Sequence, residues 1–201
     1  MITINPDNPQ PRLIQKAATI LHQGGIIAYP TDTIYGIGCN VFNKKAIERI
    51  YQIKQKSRKE PLSFICPDLK NVSKFAILSN PDYKIMRRLF PGPYTFVLKG
   101  TRVVPKLMLT KRKTVGIRVP NNNICLMLLN VFGNPIVSTS VSVGDNGFFN
   151  DPYDIEDRLG RALDLIIDGG VLGFESSSVI DLTNQPPSIL RRGKGDVSFF
   201  E

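Results

Sequence analysis

The short apolar segment Ile26-Ile27-Ala28 is the feature that most constrains how this chain can fold. It is brief and rich in β-branched residues, which is typical of a buried strand. Pro30 ends this strand, because proline lacks the N–H group that a central ladder position needs. Helical spacing of apolar residues before Gly24-Gly25 predicts a helix that stops at these glycines. The chain therefore passes from its first helix into a central strand.

The segment from Tyr29 to Cys39, Tyr-Pro-Thr-Asp-Thr-Ile-Tyr-Gly-Ile-Gly-Cys, continues from this strand. Residues 31–33 bring three short oxygen-bearing side chains to the strand's end, where ligands bind in open α/β sheets. Gly36 and Gly38 allow the backbone to turn tightly or to approach a ligand closely. The spacing alone permits two interpretations, a ligand-binding loop or a plain strand-to-helix turn capped by Asp or Thr.

Segments with helical spacing alternate irregularly with short β-branched segments along the 201 residues. Helices are predicted at 13–21, from Asn43 to the basic run at 54–59, at 69–77, 81–90 and 123–132, and from Asp151-Pro152. Strands are predicted at 26–28, 62–66, 94–98, 114–119, from 136, and at 165–167, 176–181 and 188–193. This alternation, without a visible linker or repeat, predicts one α/β domain over residues 1–201, with a twisted mixed or parallel sheet and flanking helices.

The composition, with 42% hydrophobic and 21% charged residues, is that of a globular protein in water. No apolar run approaches the ~20 residues of a membrane span, and no secretory signal is visible, so we expect a cytoplasmic protein. Three widely spaced cysteines without a Cys-x-x-Cys pair argue against a disulfide scaffold or a thiolate metal site. His22 is the only histidine, which argues against a Ser-His or Cys-His catalytic pair.

The formal net charge of +9 suggests a phosphate-bearing partner, either a nucleotide or a nucleic acid. A charge that serves solubility alone is the alternative interpretation. The densest basic run, residues 54–59, comes directly before a predicted buried strand. Such runs are usually solvated faces, but this placement makes the run a candidate phosphate clamp.

Hydroxyl groups and cations recur at the ends of the predicted strands, although the familiar nucleotide-binding motifs are absent. Hydroxyls donate to anionic oxygens, and cations neutralise the charge that develops when a phosphate is attacked. These side chains therefore indicate a nucleotide or phosphate site, while each of them alone could simply close a turn. The residues are Thr33, Lys54, Lys56, Arg118, Ser138, Ser140, Ser178 and Arg192.

Several ordered motifs together resemble the YrdC-like family, the threonylcarbamoyl-AMP synthases, over nearly the full chain. The motifs are residues 29–39, Lys54-x-Lys56 with Pro61-Leu62, Pro91-Gly92-Pro93-Tyr94-Thr95, Gly116-Ile117-Arg118-Val119-Pro120, Ser138-Thr139-Ser140, Ser178-Val179-Ile180-Asp181-Leu182 and Leu190-Arg191-Arg192-Gly193. No single motif is specific, but the ordered set is.

The resemblance implies a single α/β domain with a basic concave groove. It also implies ATP, L-threonine and bicarbonate as substrates, Mg²⁺ as a helper, and the modified base of certain tRNAs as the destination of the product. In the family reaction the amine of threonine becomes a carbamate, which attacks the α-phosphate of ATP to give threonylcarbamoyl-AMP and pyrophosphate. Such a step depends on positioning and charge neutralisation more than on a strong base.

The resemblance also implies roles for individual residues. Threonine would be held by Thr33, Thr114, Arg118, Ser138 and Ser178, with Arg118 on its carboxylate. The phosphates and nucleoside of ATP would be held by Lys54, Lys56, Ser140 and Arg192, and the two lysines would be the catalytic residues. The segment 29–39 then becomes the amino-acid end of the groove, with Thr33 as the residue to test.

Four positions depart from the family pattern. Lys56 replaces an arginine and loses its bidentate fork, and Ser142 stands where an asparagine is common. Glu60 and Ile65 stand where Asn and His are common, and Glu60 would bring an anion near the phosphates. These changes resemble the YciO branch of the family. They leave open a second interpretation, a weakly catalytic or non-catalytic paralogue that binds tRNA or double-stranded RNA.

Overall fold

Ten strands and six α-helices form the regular structure of residues 1–55, 62–142 and 147–201, the part of the chain that the computed structural model describes. The strands are β1 (Ile2–Thr3), β2 (Ile27–Tyr29), β3 (Gly36–Asn40), β4 (Ser63–Ile65), β5 (Tyr94–Lys99), β6 (Thr114–Arg118), β7 (Ile136–Ser140), β8 (Leu165–Asp168), β9 (Ser178–Asp181) and β10 (Ser188–Arg191). The helices are α1 (Pro11–His22), α2 (Lys44–Ile53), α3 (Leu69–Phe75), α4 (Asn80–Leu89), α5 (Asn123–Phe132) and α6 (Pro152–Leu159).

All ten strands belong to one mixed sheet with the order β1-β8-β2-β3-β7-β4-β6-β5-β9-β10. The pairs β1/β8, β8/β2, β4/β6 and β5/β9 are parallel. The other neighbouring pairs are antiparallel. The predicted single-domain α/β fold is therefore confirmed, and of the two predicted sheet types it is the mixed one. No helix in the described ranges is long and apolar enough to cross a membrane.

The helices form where periodicity and capping residues predict them. Asn43 caps α2 by accepting the N–H of Ala46 at 3.0 Å. Gly133, with φ of 75°, ends α5 in the left-handed conformation that glycine tolerates. Helix α3 ends two residues before its predicted end, because the N–H of Ile77 donates to the carbonyl of Lys99 at 2.8 Å instead. Tertiary pairing thus overrides helical spacing at this one boundary.

Of the two roles predicted for Gly36 and Gly38, the tight turn is wrong, because both residues lie in strand β3. Strand β3 runs antiparallel to β2, and the ring of Tyr29 lies against it. A Cβ atom on Gly36 would lie 3.2 Å from Cζ of Tyr29. A Cβ atom on Gly38 would lie 2.9 Å from Cε1 of Tyr29 and 2.4 Å from Cγ2 of Ile136. These glycines therefore make room for a tyrosine ring.

The two faces of the sheet are covered to different extents. One face carries the larger core, to which α2, α3, α4 and α6 contribute apolar residues. On the other face α1 and α5 pack against each other and against β2 and β8. This second cluster reaches Ile65 in β4 and Ile136 in β7 and goes no further across the sheet. The remainder of that face, from β3 to β10, is left without a helix from the described ranges and forms the floor of a cavity.

We predict that Gly38→Ala lowers the free energy of unfolding by about 1–3 kcal/mol, because the new methyl group overpacks Tyr29 and Ile136. Gly173→Ala is the matched control, since a Cβ atom there meets no atom within 4 Å and the backbone is not left-handed. We expect this control to stay within about 0.5 kcal/mol of the parent protein. Urea titrations of both variants measure the difference, and equal stabilities would contradict the packing role of Gly38.

Candidate functional site

The cavity has a volume of about 740 Å³ and lies on the uncovered part of the sheet. Strand β6 supplies the centre of its floor, because Thr114, Gly116 and Arg118 face the cavity while the alternate residues of β6 enter the core. A Cβ atom on Gly116 would lie 2.8 Å from Oγ of Ser63 and 3.3 Å from Cγ2 of Thr95. The glycine therefore keeps the middle of the floor open between two hydroxyl-bearing residues.

The lining combines hydroxyl groups and four cations with apolar side chains, and none of the described lining residues belongs to an α-helix. The hydroxyl-bearing residues are Thr31, Ser63, Thr95, Thr110, Thr114, Ser138, Thr139, Ser140, Ser176 and Ser177, with Tyr35. The charged residues are Lys111, Arg112, Arg118, Arg191 and Asp181. The apolar residues are Ile34, Leu62, Ile65, Val97, Leu109, Val179 and Leu190.

Arg118 forms an ion pair with Asp32 at one wall of the cavity. Its side chain is almost fully buried, with the residue only 7% exposed, and Nη2 also donates to Oγ1 of Thr33 at 2.8 Å. Arg118 is thus paired rather than exposed. Nε of Arg118 and Oδ2 of Asp32 have no hydrogen-bond partner within the described ranges. Such unmet groups are rare in native proteins and often mark a ligand site.

Ser138 lies near this ion pair and accepts a hydrogen bond of 2.5 Å from the hydroxyl of Tyr29. Burial raises the pKa of Tyr29 well above the ordinary value of 10.0, so the phenol keeps its proton and remains the donor. Oγ of Ser138 accepts this hydrogen bond, so the proton of its own hydroxyl remains available to a ligand. Thr114 is positioned similarly by a 2.6 Å contact between its hydroxyl and that of Thr110.

A second group of polar residues joins β5, β9 and β10. Oγ of Ser177 lies 2.8 Å from Oγ1 of Thr95. Arg191 donates from Nε and Nη2 to the carbonyl oxygen of Ser177, at 3.0 and 2.9 Å. Partial burial, followed by the positive charge of Arg118, lowers the pKa of Arg191 below its ordinary value. Arg191 and Arg118 both line the cavity, and an anion bound there would offset the repulsion between their positive charges.

The cavity lining does not include Ser178 or Arg192, the residues predicted to bind threonine and ATP. Ser178 is fully buried on the opposite side of β9, where its Oγ donates to the carbonyl of Gly195 at 2.6 Å. Oγ of Ser178 also accepts the N–H of Gly193 at 3.0 Å. Arg192 is exposed and pairs with Glu201. Ser177 and Arg191, each one residue earlier, occupy the cavity instead.

A bulge in β10 explains the position of Arg191. Ile189 is opposite Ile180, but the next paired residue is Arg191 opposite Val179, so Leu190 is an extra residue. Both Leu190 and Arg191 consequently line the cavity, although neighbouring residues of a regular strand face opposite sides. Two adjacent arginines carry no sequence signal that would have indicated which of them points inward.

Lys54 is 3% exposed and lies outside the cavity lining. Its Nζ donates to the carbonyl oxygens of Ser140 and Ser142, at 2.8 and 2.7 Å, and also to Oγ of Ser142. Lys54 thereby ties the end of α2 to the end of β7, whose Ser140 does line the cavity. Lys56 and Glu60 lie outside the described residues. The ATP-binding roles of Lys54 and Lys56 therefore stay predictions.

The thiols and the histidine lie away from the cavity. Cys39, Cys66 and Cys125 are buried and free, and burial raises the pKa of Cys39 and Cys66 to about 12. Thiols with such pKa values are poor nucleophiles at neutral pH. The ring of His22 instead contacts that of Phe132, with centroids 4.7 Å apart. Among the residues described, no group of three or more His, Cys, Asp and Glu could hold a metal ion.

The half-covered sheet and its polar cavity define an α/β protein whose open sheet face carries guanidinium and hydroxyl groups. A sequence profile named Sua5_yciO_yrdC, with the description "Telomere recombination", matches residues 19–193. The chain belongs to this Sua5/YciO/YrdC family.

Two relatives illustrate the range of the family. The chain is 45% identical over 199 residues to the uncharacterized protein YciO of Escherichia coli (strain K12), covering 98% of this chain and 97% of YciO. The crystal structure of E. coli YciO matches with a TM-score of 0.96 at 44% identity, covering 100% of this chain and 98% of that one. A threonylcarbamoyl-AMP synthase of Pyrococcus abyssi (strain GE5 / Orsay) is 31% identical over 183 residues. That alignment covers 90% of this chain but 54% of the synthase.

The crystal structure of P. abyssi Sua5 complexed with L-threonine is also similar. It matches with a TM-score of 0.90 at 30% identity, covering 96% of this chain and 58% of that one. The fold and family are thus shared with a protein that binds threonine.

We predict that Arg118→Met destabilises the protein by about 3–5 kcal/mol, because it leaves the carboxylate of Asp32 buried without its cation. The double variant Asp32→Asn/Arg118→Met should recover most of this loss, since no buried charge remains. Arg192→Met removes an exposed ion pair and serves as the control, with an expected change of at most about 1 kcal/mol. Thermal and urea unfolding measure all three variants. Equal losses for the single and double variants would show that the buried charge is not the cause.

Proposed function

We propose that this protein is an ATP-dependent L-threonylcarbamoyladenylate synthase, which converts threonine, bicarbonate and ATP into threonylcarbamoyl-AMP and pyrophosphate. Its product would serve the threonylcarbamoyladenosine modification of tRNA. One observation carries the proposal: buried Arg118, which is surrounded by hydroxyl groups, lines the same cavity as three further cations. The family membership and the threonine complex of the P. abyssi relative support it.

The amino-acid end of the proposed site lies at the wall formed by Arg118. Its guanidinium would bind the threonine carboxylate. Thr33, already in contact with Arg118, and Ser138, with an available proton, would orient the ligand. Thr114 completes the set from the floor of the cavity. In place of Ser178 we assign Ser177, because its side chain is the one that reaches the cavity.

The nucleotide end of the proposed site is the cationic part of the lining. Lys111, Arg112 and Arg191 provide three positive charges for the phosphates, with Arg191 taking the place of Arg192. Ser140 would donate to a phosphate oxygen, and Lys54 positions the backbone of Ser140 through the carbonyl that it binds. The cavity volume of about 740 Å³ falls within the range typical of small-molecule sites.

In the proposed reaction, the threonine nitrogen bonds to the carbon of bicarbonate with loss of water and gives a carbamate. A carbamate oxygen then bonds to the α-phosphorus of ATP, and the bond from that phosphorus to the bridging oxygen breaks. Pyrophosphate leaves with the electron pair. The chain contributes by holding the amino acid through Arg118 and by neutralising the charge of the phosphates through Lys111, Arg112 and Arg191.

Magnesium enters this proposal with the nucleotide. The described residues offer no cluster of three acidic or histidine side chains for a resident ion. Mg²⁺ keeps several of its waters and is commonly held largely by the phosphates of the substrate. The ion would neutralise phosphate charge.

RNA binding with weak or no catalysis is the second candidate function. The net charge of +9 favours it, as do the exposed cations Lys111, Arg112 and Lys113 beside the cavity mouth. Binding to tRNA or double-stranded RNA through these cations should weaken steeply with added salt. An affinity that stays flat between low and moderate salt would count against this function.

We expect purified protein to release pyrophosphate from ATP only when both L-threonine and bicarbonate are present, because the attacking group is the carbamate that these two form. Coupled pyrophosphate detection measures the release. Omission of either substrate is the control and should return the signal to background. If folded protein with all three substrates gives no release above background, the synthase proposal is wrong.

The pair Arg191→Ala and Arg192→Ala tests which arginine serves the reaction. Loss of Arg191 should lower kcat/KM by about 10–100-fold, since a charge-assisted hydrogen bond is worth about 1.5–3 kcal/mol. Arg192→Ala should stay within about twofold of the parent, because this side chain is exposed and pairs with Glu201. Melting temperatures verify that both variants fold. Equal effects, or a larger effect at Arg192, would contradict the assignment.

A further inference from the structure

Asp181 is a carboxylate in the cavity wall that the reaction itself does not use. Its residue is 7% exposed and lies at the end of β9. Oδ1 accepts two hydrogen bonds from Thr183, from the backbone N–H at 2.8 Å and from the hydroxyl at 2.6 Å. No residue in the described ranges donates to Oδ2, and this oxygen is not among the buried atoms that lack a partner. The hydrogen bonds to Oδ1 fix the orientation of the carboxylate. Oδ2 is therefore a fixed hydrogen-bond acceptor at the wall of the cavity.

The surroundings of Asp181 combine apolar surface with positive charge. Asp181 is opposite Val97 in the β5–β9 pair, and the N–H of Leu182 donates to the carbonyl of Val97 at 3.0 Å. Strand β5 leads from Val97 into the connection whose Lys111 and Arg112 line the same cavity. Apolar side chains of this part of the lining are Val97, Leu109, Val179 and Leu190.

This combination restricts the chemistry of the group that Asp181 binds. An ionised carboxylate only accepts hydrogen bonds, so the ligand must donate. The positive charges of Lys111, Arg112 and Arg191 oppose an ammonium donor and attract an anion. The ligand is therefore an anion that also carries neutral donors and an apolar surface. The ribose of a nucleotide has two adjacent hydroxyl groups, and the base has flat faces that suit branched aliphatic side chains.

We propose that Asp181 accepts hydrogen bonds from the ribose hydroxyl groups of the nucleotide and makes the site selective for ribonucleotides over deoxyribonucleotides. The inference rests on the proposed function for the presence of a nucleotide, but it concerns binding and not turnover. Asp181 acts here as a specificity-determining residue. Thr183 supports it, because both of its donors fix the carboxylate and leave Oδ2 for the sugar.

The test is calorimetric binding of ATP, 2′-deoxy-ATP and 3′-deoxy-ATP with Mg²⁺, without threonine or bicarbonate. We expect the parent protein to bind ATP about 10–100-fold more tightly than the deoxy analogue that lacks the contacting hydroxyl. Asp181→Ala should bind ATP and that analogue equally, at the parent's affinity for the analogue. Asp181→Asn, which keeps an oxygen for Thr183, provides a second variant if the alanine variant does not fold.

Three outcomes would overturn the proposal. The first is equal affinity of the parent for ATP and both deoxy analogues. The second is full discrimination by Asp181→Ala. The third is a change in preference between ATP and inosine triphosphate on Asp181→Asn with the ribose preference intact, which would assign Asp181 to the base. Tighter binding of ATP than of the deoxy analogue, without pyrophosphate release, would support the sugar contact and refute the synthase proposal. Failure of the sugar contact and failure of the synthase proposal are therefore distinguishable.

Discussion

The limited reach of the helix pair α1 and α5 across one face of the sheet is the constraint on which the site depends. Their apolar residues cover the sheet as far as Ile65 and Ile136, and the residues two positions along the same strands are Ser63 and Ser138. Polar and small residues suit an uncovered sheet face in water, because exposed apolar area is costly, although Val97, Val179 and Leu190 also line this face. The change from isoleucine to serine along β4 and β7 thus marks where the core stops and the cavity begins.

The charge of the cavity is unevenly distributed. At one wall the positive charge of Arg118 is balanced by Asp32, which gives a nearly neutral region of strong dipoles. Elsewhere Lys111, Arg112 and Arg191 outnumber Asp181, so the rest of the described lining is positive. A zwitterion is compatible with the first region and a polyphosphate with the second. Under the proposed function, this difference in charge directs the amino acid to the first region and the nucleotide to the second.

Most of the fold could be predicted from the sequence because its signals are local. Apolar spacing, the cap at Asn43 and the stop at Gly133 give helices that the structure confirms. Strand β3 could not be predicted, because Gly36 and Gly38 suggest a turn unless the ring that they accommodate is known. That ring belongs to Tyr29, which meets the glycines only through strand pairing.

The site shows the same division between local and long-range signals. Thr33, Thr114, Arg118, Ser138 and Ser140 meet at one cavity or directly contact its lining. The predicted Ser178 and Arg192 lie one residue after Ser177 and Arg191, which line the cavity. A shift of one residue along a strand moves the side chain to the opposite face of the sheet. Only the register of strand pairing shows which residue faces the cavity. The ion pair between Arg118 and Asp32 could not be predicted either, because 86 residues separate the two along the chain.

The bulge at Leu190 does more than place Arg191 in the cavity lining. Strand β10 is an edge of the sheet, and the opposite edge, β1, is only two residues long. A regular edge strand offers a template on which another chain can add a strand and begin aggregation. The extra residue breaks the regular spacing of donors and acceptors along β10. The bulge that places Arg191 in the cavity lining therefore also hinders another chain from adding a strand at this edge of the sheet.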